Sequence, residues 1–225
     1  MAVEYTIISI GALSHNPLWG EAAAVRTSHA TTTLVEAGKR LILVDPSLPA
    51  SALAARFNER TGKQPADVTD VFLTTLRPVH RRGLEAFDRA QVWTHQYELD
   101  SYHAHLHSLL DSSIRLGGED RRAVEEDLRL LERIKPAPEK FDEQVGLYPL
   151  AGASVGSAGL MLTPVTETII IAGDAAPTAG HVQVARVWDG CVDTEAAMES
   201  LKDLLEVADI VVPGHDNIML VRRQW

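Results

Sequence analysis

The sequence predicts an α/β fold in which two mixed β-sheets pack together and helices cover their outer faces. Three regions of the 225-residue chain support this prediction: a strand-rich first third, a helical middle at about 96–135, and a strand-rich last third. Such an order of elements is typical of layered α/β proteins. The length fits one domain spanning 1–225, with the helical middle as an insertion.

The first third is dominated by β-branched and apolar runs, which favour strands. Strands are predicted at 5–10, 31–35, 41–44 and 71–74. The continuous apolar run at 41–44 is typical of a strand covered on both faces, and it ends at the turn signal Asp45-Pro46. Segment 49–60 predicts a helix, because Leu53 and Phe57 lie four residues apart on one face.

The middle of the chain predicts two helices broken at Gly117-Gly118 and ended by the Pro-containing run 135–138. Each helix has an apolar stripe at the helical period. The stripes consist of Leu99, Tyr102, Leu106 and Leu109 in the first helix, and of Val124, Leu128 and Leu131 in the second.

The last third predicts a return to strands. Segments 160–162 and 168–171 flank a turn and indicate a hairpin, and 182–187 and 210–212 indicate two further strands. Between them, Thr194 is the predicted N-cap of a helix that ends at Ala208. Its predicted buried face consists of Met198, Leu201 and Leu205.

The composition of the chain argues against several classes of function. The net charge of −10 argues against general nucleic-acid binding, which depends on clustered Lys and Arg. Cys191 is the one cysteine, so no intrachain disulfide can form, which fits a cytoplasmic location. The N-terminus does not resemble a signal peptide, and no apolar run approaches the ~18 residues of a membrane span. We therefore expect a cytoplasmic protein without nucleic-acid or membrane partners.

Several short motifs occur in a characteristic order. They are 41–45 (LILVD), 73–84 (LTTLRPVHRRGL), 151–159 (AGASVGSAG), 172–174 (AGD) and 212–215 (VPGH). Together they resemble the metallo-β-lactamase-like hydrolase superfamily, in which the second motif reads Thr-His-x-His-x-Asp-His-x-Gly-Gly. The resemblance implies a four-layer αββα sandwich with a metal site at the sheet edges between its two halves.

The resemblance also implies where the ligands of two metal ions would lie. The positions for the first ion are Thr75, Arg77, Ala153 and Asp174, and those for the second are Val79, His80, Asp174 and His215. Thr75, Arg77, Val79 and Ala153 have lost metal-binding groups, which predicts that a two-metal centre cannot form. His80, Asp174 and His215 retain two imidazoles and one carboxylate, a set that can hold one zinc or iron ion. Alternatively, these three residues are held by ordinary hydrogen bonds and no metal binds.

Arg77 is the most informative of these substitutions. A guanidinium is always charged and pairs well with a carboxylate. We therefore predict a salt bridge from Arg77 to Asp174 that replaces the charge of the missing cation. Arg77, Asp45 and His181 are predicted to border the cleft, with Asp45 as a structural hydrogen-bond acceptor.

Other polar residues favour less specific roles. His103 and His107 have the i,i+4 spacing of metal ligands, but a solvated helix surface is the simpler interpretation. His95 could border the cleft. Arg81 and Arg82 could attract an anion at a helix start, or serve solubility. Nothing near Cys191 argues for a reactive thiolate.

Three functions follow as hypotheses. The first is a hydrolase-like protein that has lost two-metal chemistry and binds a small anionic or carbonyl ligand. The second is a mononuclear metal-dependent hydrolase that uses His80, Asp174 and His215. The third is a non-catalytic structural or interaction protein, in which the paired middle helices form a homo-oligomer.

Overall fold

The computed structural model describes residues 2–111 and 117–221. In these ranges the strands form two sheets of six strands each. The first sheet consists of β1 (Glu4–Ser9), β2 (Thr32–Ala37), β3 (Arg40–Val44), β4 (Asp70–Phe72), β5 (Gln91–Thr94) and β6 (Ile134–Pro136). The second consists of β7 (Lys140–Asp142), β8 (Val145–Pro149), β9 (Ala158–Leu162), β10 (Ile169–Gly173), β11 (Ile210–Pro213) and β12 (Met219–Leu220).

Both sheets are mixed. In the first sheet β1, β2 and β3 pair antiparallel, and β3 to β6 run parallel in chain order. In the second sheet β7 to β10 pair antiparallel, β10 pairs parallel with β11, and β12 closes the edge antiparallel. Ligand sites in such sheets lie beyond the carboxyl ends of parallel strands. A ligand site is therefore expected beyond the carboxyl ends of the parallel pairs β3–β4 and β10–β11.

Helices cover the outer faces of the sheets. They are α1 (Ala50–Thr61), α2 (Pro78–Arg81), α3 (Gln96–Asp111), α4 (Gly118–Leu131), α5 (Ala179–Gln183) and α6 (Thr194–Val207). One apolar cluster joins the first sheet to α1, α3 and α4, and another joins the second sheet to α6. A third cluster lies between the sheets and includes Val44, Phe72, Leu160 and Val212. The predicted αββα layers are confirmed. Among the described helices, none is long and apolar enough to cross a membrane.

Several predicted elements have different bounds or a different type. The strand predicted at 182–187 is wrong, because Thr178 caps the short helix α5 through its side chain, which accepts from the amide of His181. The helix predicted to start at the cap Thr194 is capped one residue earlier, where Asp193 accepts from the amide of Ala196.

The buried face of α6 also differs from its prediction. Its buried residues are Ala197, Leu201 and Leu204, whereas Met198 is 38% exposed. The buried stripe is rotated by one residue because the small side chain of Ala197 packs against the sheet. The run 135–138 does follow the helices, but it begins inside strand β6. Part of the connection between α3 and α4 lies outside the described residues.

Candidate functional site

Residues that follow four strands meet at one edge of the sandwich. Asp45 follows β3 and Asp174 follows β10, while Thr74 and His215 lie just beyond β4 and β11. All four are buried. Gly173 allows this approach: it has a φ of 54°, and a Cβ there would lie 2.4 Å from the hydroxyl oxygen of Thr74. A side chain at this position would push the two sheets apart.

His80, Asp174 and His215 converge in this edge. The Nε2 atoms of His80 and His215 lie 3.1 and 3.0 Å from the same carboxylate oxygen, Oδ1 of Asp174. The ligating atoms of the three residues all lie within 4.8 Å of one another. The residues predicted as a single metal site are thus brought together in space.

The far side of each imidazole ring is held by an acceptor. Oδ2 of Asp45 lies 2.9 Å from Nδ1 of His80, and the carbonyl oxygen of His29 lies 2.9 Å from Nδ1 of His215. A carboxylate and a carbonyl only accept, so both Nδ1 atoms are donors. Each ring therefore turns its Nε2 towards Asp174.

Asp45 itself is held in place by Thr74. Its Oδ1 accepts from the backbone amide of Thr74 at 2.9 Å, and its Oδ2 accepts from the Thr74 hydroxyl at 2.7 Å. Asp45 adopts a left-handed backbone conformation with a φ of 50°, which is unusual for a non-glycine residue. These contacts support the structural acceptor role predicted for Asp45.

The electrostatics of the site couple His80 to its two carboxylates. Burial alone would lower the pKa of His80, but the charges of Asp174 and Asp45 and the hydrogen bonds to them raise it to about 10. Burial of Asp174 acts to raise its pKa, yet the pKa is held well below its ordinary value by His80 and His215. Without a metal, His80 is therefore an imidazolium between two carboxylates.

Arg77 occupies the other side of Asp174. Its Nη1 donates to Oδ2 of Asp174 at 2.7 Å, which confirms the predicted salt bridge. Its Nη2 donates to the carbonyl oxygens of Ala153 and Gly190. The guanidinium carbon lies 4.3 Å from the centre of the Trp188 ring, a cation–π contact. The guanidinium is thus fixed on several sides and only 23% of the side chain is exposed.

The other positions that the resemblance implies for metal ligands make hydrogen bonds to other parts of the chain. Thr75 is buried and donates its hydroxyl to Oε1 of Glu98 at 2.8 Å. Val79 accepts a hydrogen bond from the Ser47 hydroxyl through its backbone carbonyl. Ala153 meets Arg77 through its carbonyl as well.

Glu98, on the first turn of α3, is a site residue that sequence reasoning missed. Its side chain is buried, with Oε1 also accepting from the amide of Leu76 at 2.9 Å. Oε2 accepts from the hydroxyl of Ser154 at 2.7 Å and from the amide of Gly156 at 3.2 Å. Glu98 therefore links the 73–84 motif to the 151–159 motif. Its spacing of four residues from Tyr102, on the apolar stripe of α3, is the signal that could have identified it.

Other predicted residues lie apart from the triad. His181 is buried on α5, where its Nδ1 lies 2.8 Å from the Thr178 hydroxyl, and burial lowers its pKa. Its place in the cleft remains a prediction. Arg81 is not a free anion site, because it pairs with Asp127 at 2.6 Å and donates to the carbonyl of Leu76.

Most of the chain matches one known protein family. The family model described as the metallo-beta-lactamase superfamily matches residues 25–215. The chain belongs to this superfamily. The match covers both sheets' site-bearing strands, β3, β4, β10 and β11, so the site described above lies in the family's own framework.

Solved structures of other proteins have the same fold as this chain. A Thermotoga maritima protein assigned to the metallo-beta-lactamases has a TM-score of 0.72 and 18% identity, over 98% of this chain and 100% of that one. The dizinc quorum-quenching lactonase AidC, in complex with the product N-hexanoyl-L-homoserine, has a TM-score of 0.68 and 15% identity, over 100% and 92%. AiiA of B. thuringiensis, with N-decanoyl-L-homoserine at its active site, has a TM-score of 0.64 and 18% identity, over 96% and 94%. No curated protein sequence matches the chain. At these identities the similarity shows the fold alone.

Proposed function

We propose that this protein is a metallo-β-lactamase-fold hydrolase-like protein that does not carry out two-metal hydrolysis, because Arg77 takes the place of one metal ion. The observation that supports this most strongly is the 2.7 Å ion pair between Arg77 and Oδ2 of Asp174. A carboxylate has two oxygens with which it can bind cations. Here one of them is already paired with a permanently charged guanidinium.

The donor chemistry beside Arg77 supports the same proposal. Zinc needs about four N, S or O ligands, most often imidazole, thiolate or carboxylate. The positions of Thr75 and Ala153 offer a hydroxyl that donates to Glu98 and a methyl group. Two-metal hydrolysis also needs ions about 3.5–4 Å apart, and a second ion at that distance would meet the guanidinium. We therefore do not expect a metal on this side of Asp174.

Glu98 explains how the cleft keeps its shape without that metal. The loops of Thr75 and Ser154, which a metal would join through histidines in the family, are joined by one buried carboxylate. Charge-assisted hydrogen bonds of this kind are about twice as strong as neutral ones. In our proposal, Glu98 and Arg77 together replace the structural role of the missing ion.

A second candidate function, a mononuclear metal-dependent hydrolase, is favoured by the orientation of the two histidines. Histidines that ligate a metal almost always donate their other ring N–H to a carboxylate or a backbone carbonyl. His80 does so to Asp45 and His215 does so to the carbonyl of His29. The donor set of His80, Asp174 and His215 therefore fits one divalent ion, with zinc or iron as the candidates.

In that candidate the residues of this chain have separate tasks. Asp45 and the His29 carbonyl would hold the Nδ1 protons, so that both Nε2 lone pairs face the ion. Arg77 would neutralise the second oxygen of Asp174. The ion would supply a water of lowered pKa and polarise a carbonyl group. Because AidC is named a lactonase and was solved with a homoserine product, a lactone is the first substrate class to test.

The metal content of the purified protein separates these functions. We expect at most one equivalent of zinc or iron in the cleft, measured by inductively coupled plasma mass spectrometry on His107→Ala protein prepared without chelators, so that metal held by the histidines of α3 is not counted. In the single-metal candidate, His215→Ala loses that equivalent and His29→Ala keeps it, because His29 contributes only its backbone carbonyl. Two equivalents bound at the cleft would contradict the proposal.

Lactone hydrolysis by the same preparations then tests activity. Turnover that requires the metal and disappears in His215→Ala supports the mononuclear hydrolase. Absence of both metal and turnover, with a small anionic molecule still bound by the cleft, supports the non-hydrolytic protein. Absence of both, with a stable homo-oligomer in solution, supports an interaction role for the middle helices. The cytoplasmic location also remains an expectation.

A further inference from the structure

A histidine pair lies on the exposed face of α3, away from the site described above. His103 and His107 are one helical turn apart, and their Nε2 atoms lie 3.3 Å from each other. Their ring centroids are separated by 4.4 Å. Both side chains are exposed. The two Nε2 atoms therefore face each other on the surface of the helix, within hydrogen-bond distance.

The separation of these nitrogens suits a metal ion. A zinc–imidazole bond is about 2.0–2.1 Å long, so two such bonds at a tetrahedral angle place the nitrogens about 3.3–3.4 Å apart. The observed 3.3 Å agrees with that value. Two Nε2–H groups cannot face each other at this distance, so at least one lone pair is directed into the gap.

Two carboxylates line the same groove as the pair. His103 and His107 line a surface groove between α3 and α4 together with Asp100 and Glu132. Asp100 precedes His103 by three residues and lies on the same face of α3. The floor of the groove is apolar, formed by Leu99, Leu128 and Leu131. Both carboxylates are exposed and can rotate towards an ion.

His105 provides an internal contrast on the same helix. It is also exposed, but its ring is tilted against Tyr102, with centroids 6.4 Å apart. It does not line the groove. If the histidines of α3 served only solubility, His105 and the pair would have the same role. A metal site involves His103 and His107 but not His105.

We propose that His103 and His107 form a second, surface metal site, which binds a borderline divalent transition-metal ion such as Zn²⁺. Imidazole nitrogen is a preferred ligand of Zn²⁺, Cu²⁺ and Ni²⁺, and water completes the coordination with Asp100 or Glu132. This site is independent of His80, Asp174 and His215, and it does not depend on the function proposed above.

Calorimetric titration of the chelator-treated full chain with Zn²⁺ tests the site. His103→Ala and His107→Ala should each lose one binding event or weaken it at least tenfold. His105→Ala should bind as the wild type does, and His215→Ala should keep the event that the α3 variants lose. These α3 residues are exposed, so we expect all three α3 variants to fold, which circular dichroism checks.

Two results would overturn the proposal. One is equal Zn²⁺ binding by His107→Ala and His105→Ala. The other is wild-type protein whose entire Zn²⁺ binding disappears in His215→Ala. Zn²⁺ binding by the wild type at α3 alone, with no binding event that depends on His215, would instead contradict only the single-metal candidate for the cleft, so the two proposals fail separately.

Discussion

The two oxygens of Asp174 face different chemistry. Oδ1 lies beside the Nε2 atoms of two buried histidines, and Oδ2 is paired with the guanidinium of Arg77. The Oδ1 side keeps the ligand types and the outer hydrogen-bond partners of a metal site. On the Oδ2 side, Arg77 also donates to the carbonyl of Ala153, and Glu98 links the neighbouring segments of Thr75 and Ser154. The negative charge of one buried carboxylate can thus be balanced by imidazole and guanidinium groups as well as by metal ions.

Asp174→Ala tests both sides at once and should have the largest effect. It leaves the imidazolium of His80 and the guanidinium of Arg77 without their shared partner. Removing one member of a buried ion pair costs about 3–5 kcal/mol. Urea unfolding of chelator-treated protein should show this loss. Asp189→Ala, at an exposed ion pair with Arg186, is the control and should change stability by less than about 0.5 kcal/mol.

Glu98→Ala tests the link between the segments of Thr75 and Ser154. The amides of Leu76 and Gly156 and the hydroxyls of Thr75 and Ser154 would lose their acceptor. Each buried donor left unpaired costs about 1–3 kcal/mol, although the hydroxyls can turn to other acceptors, so we expect a loss of about 3 kcal/mol in urea unfolding. Glu98→Gln should lose less, because its amide oxygen still accepts. Wild-type stability in Glu98→Ala would show that Glu98 does not hold the loops.

The Oδ1 side predicts a pH dependence. Because the folded pKa of His80 is about 10, above its ordinary value near 6.5, His80 contributes its full stability below about pH 6.5 and loses it as the pH rises through about 10. Asp174 acts in the opposite direction: its lowered pKa contributes stability above about pH 4, which is lost as the pH falls.

Urea unfolding of chelator-treated protein between about pH 6.5 and 10 measures the His80 contribution. One linked proton gives a slope of at most about 1.4 kcal/mol per pH unit. The wild type should lose stability over this range, and His80→Gln should lose much less. Parallel curves would mean that His80 is not charged in the folded protein.

Arg77→Ala frees Oδ2 of Asp174 from its ion pair. Removing this positive charge next to the triad should raise the affinity for Zn²⁺ by about tenfold. The repulsion between the guanidinium of Arg77 and an ion bound at the other oxygen of Asp174 exceeds about 1 kcal/mol even when solvent screens it. Competition with a chromophoric chelator measures the change. Arg82→Ala removes an exposed charge that follows the same short helix and is the matched control. Equal affinities in the two variants would remove Arg77 from the electrostatics of the site.

The sequence predicted the layers, the triad and the Arg77–Asp174 pair, because each follows from a local pattern or from a position within a motif. It did not predict Glu98, whose partners lie on two other segments of the chain and are known only after folding. The strand predicted at 182–187 failed for a related reason. Its alternating valines favour a strand, but the cap formed by Thr178 starts a helix just before them.

The most direct test is a crystal structure of the protein grown with excess zinc, with anomalous diffraction recorded at the zinc edge. We expect the guanidinium of Arg77 between Oδ2 of Asp174 and the carbonyl of Ala153, and at most one ion in the cleft, bound by His80, Asp174 and His215. Two adjacent zinc ions bridged by Asp174, with Arg77 displaced, would contradict it.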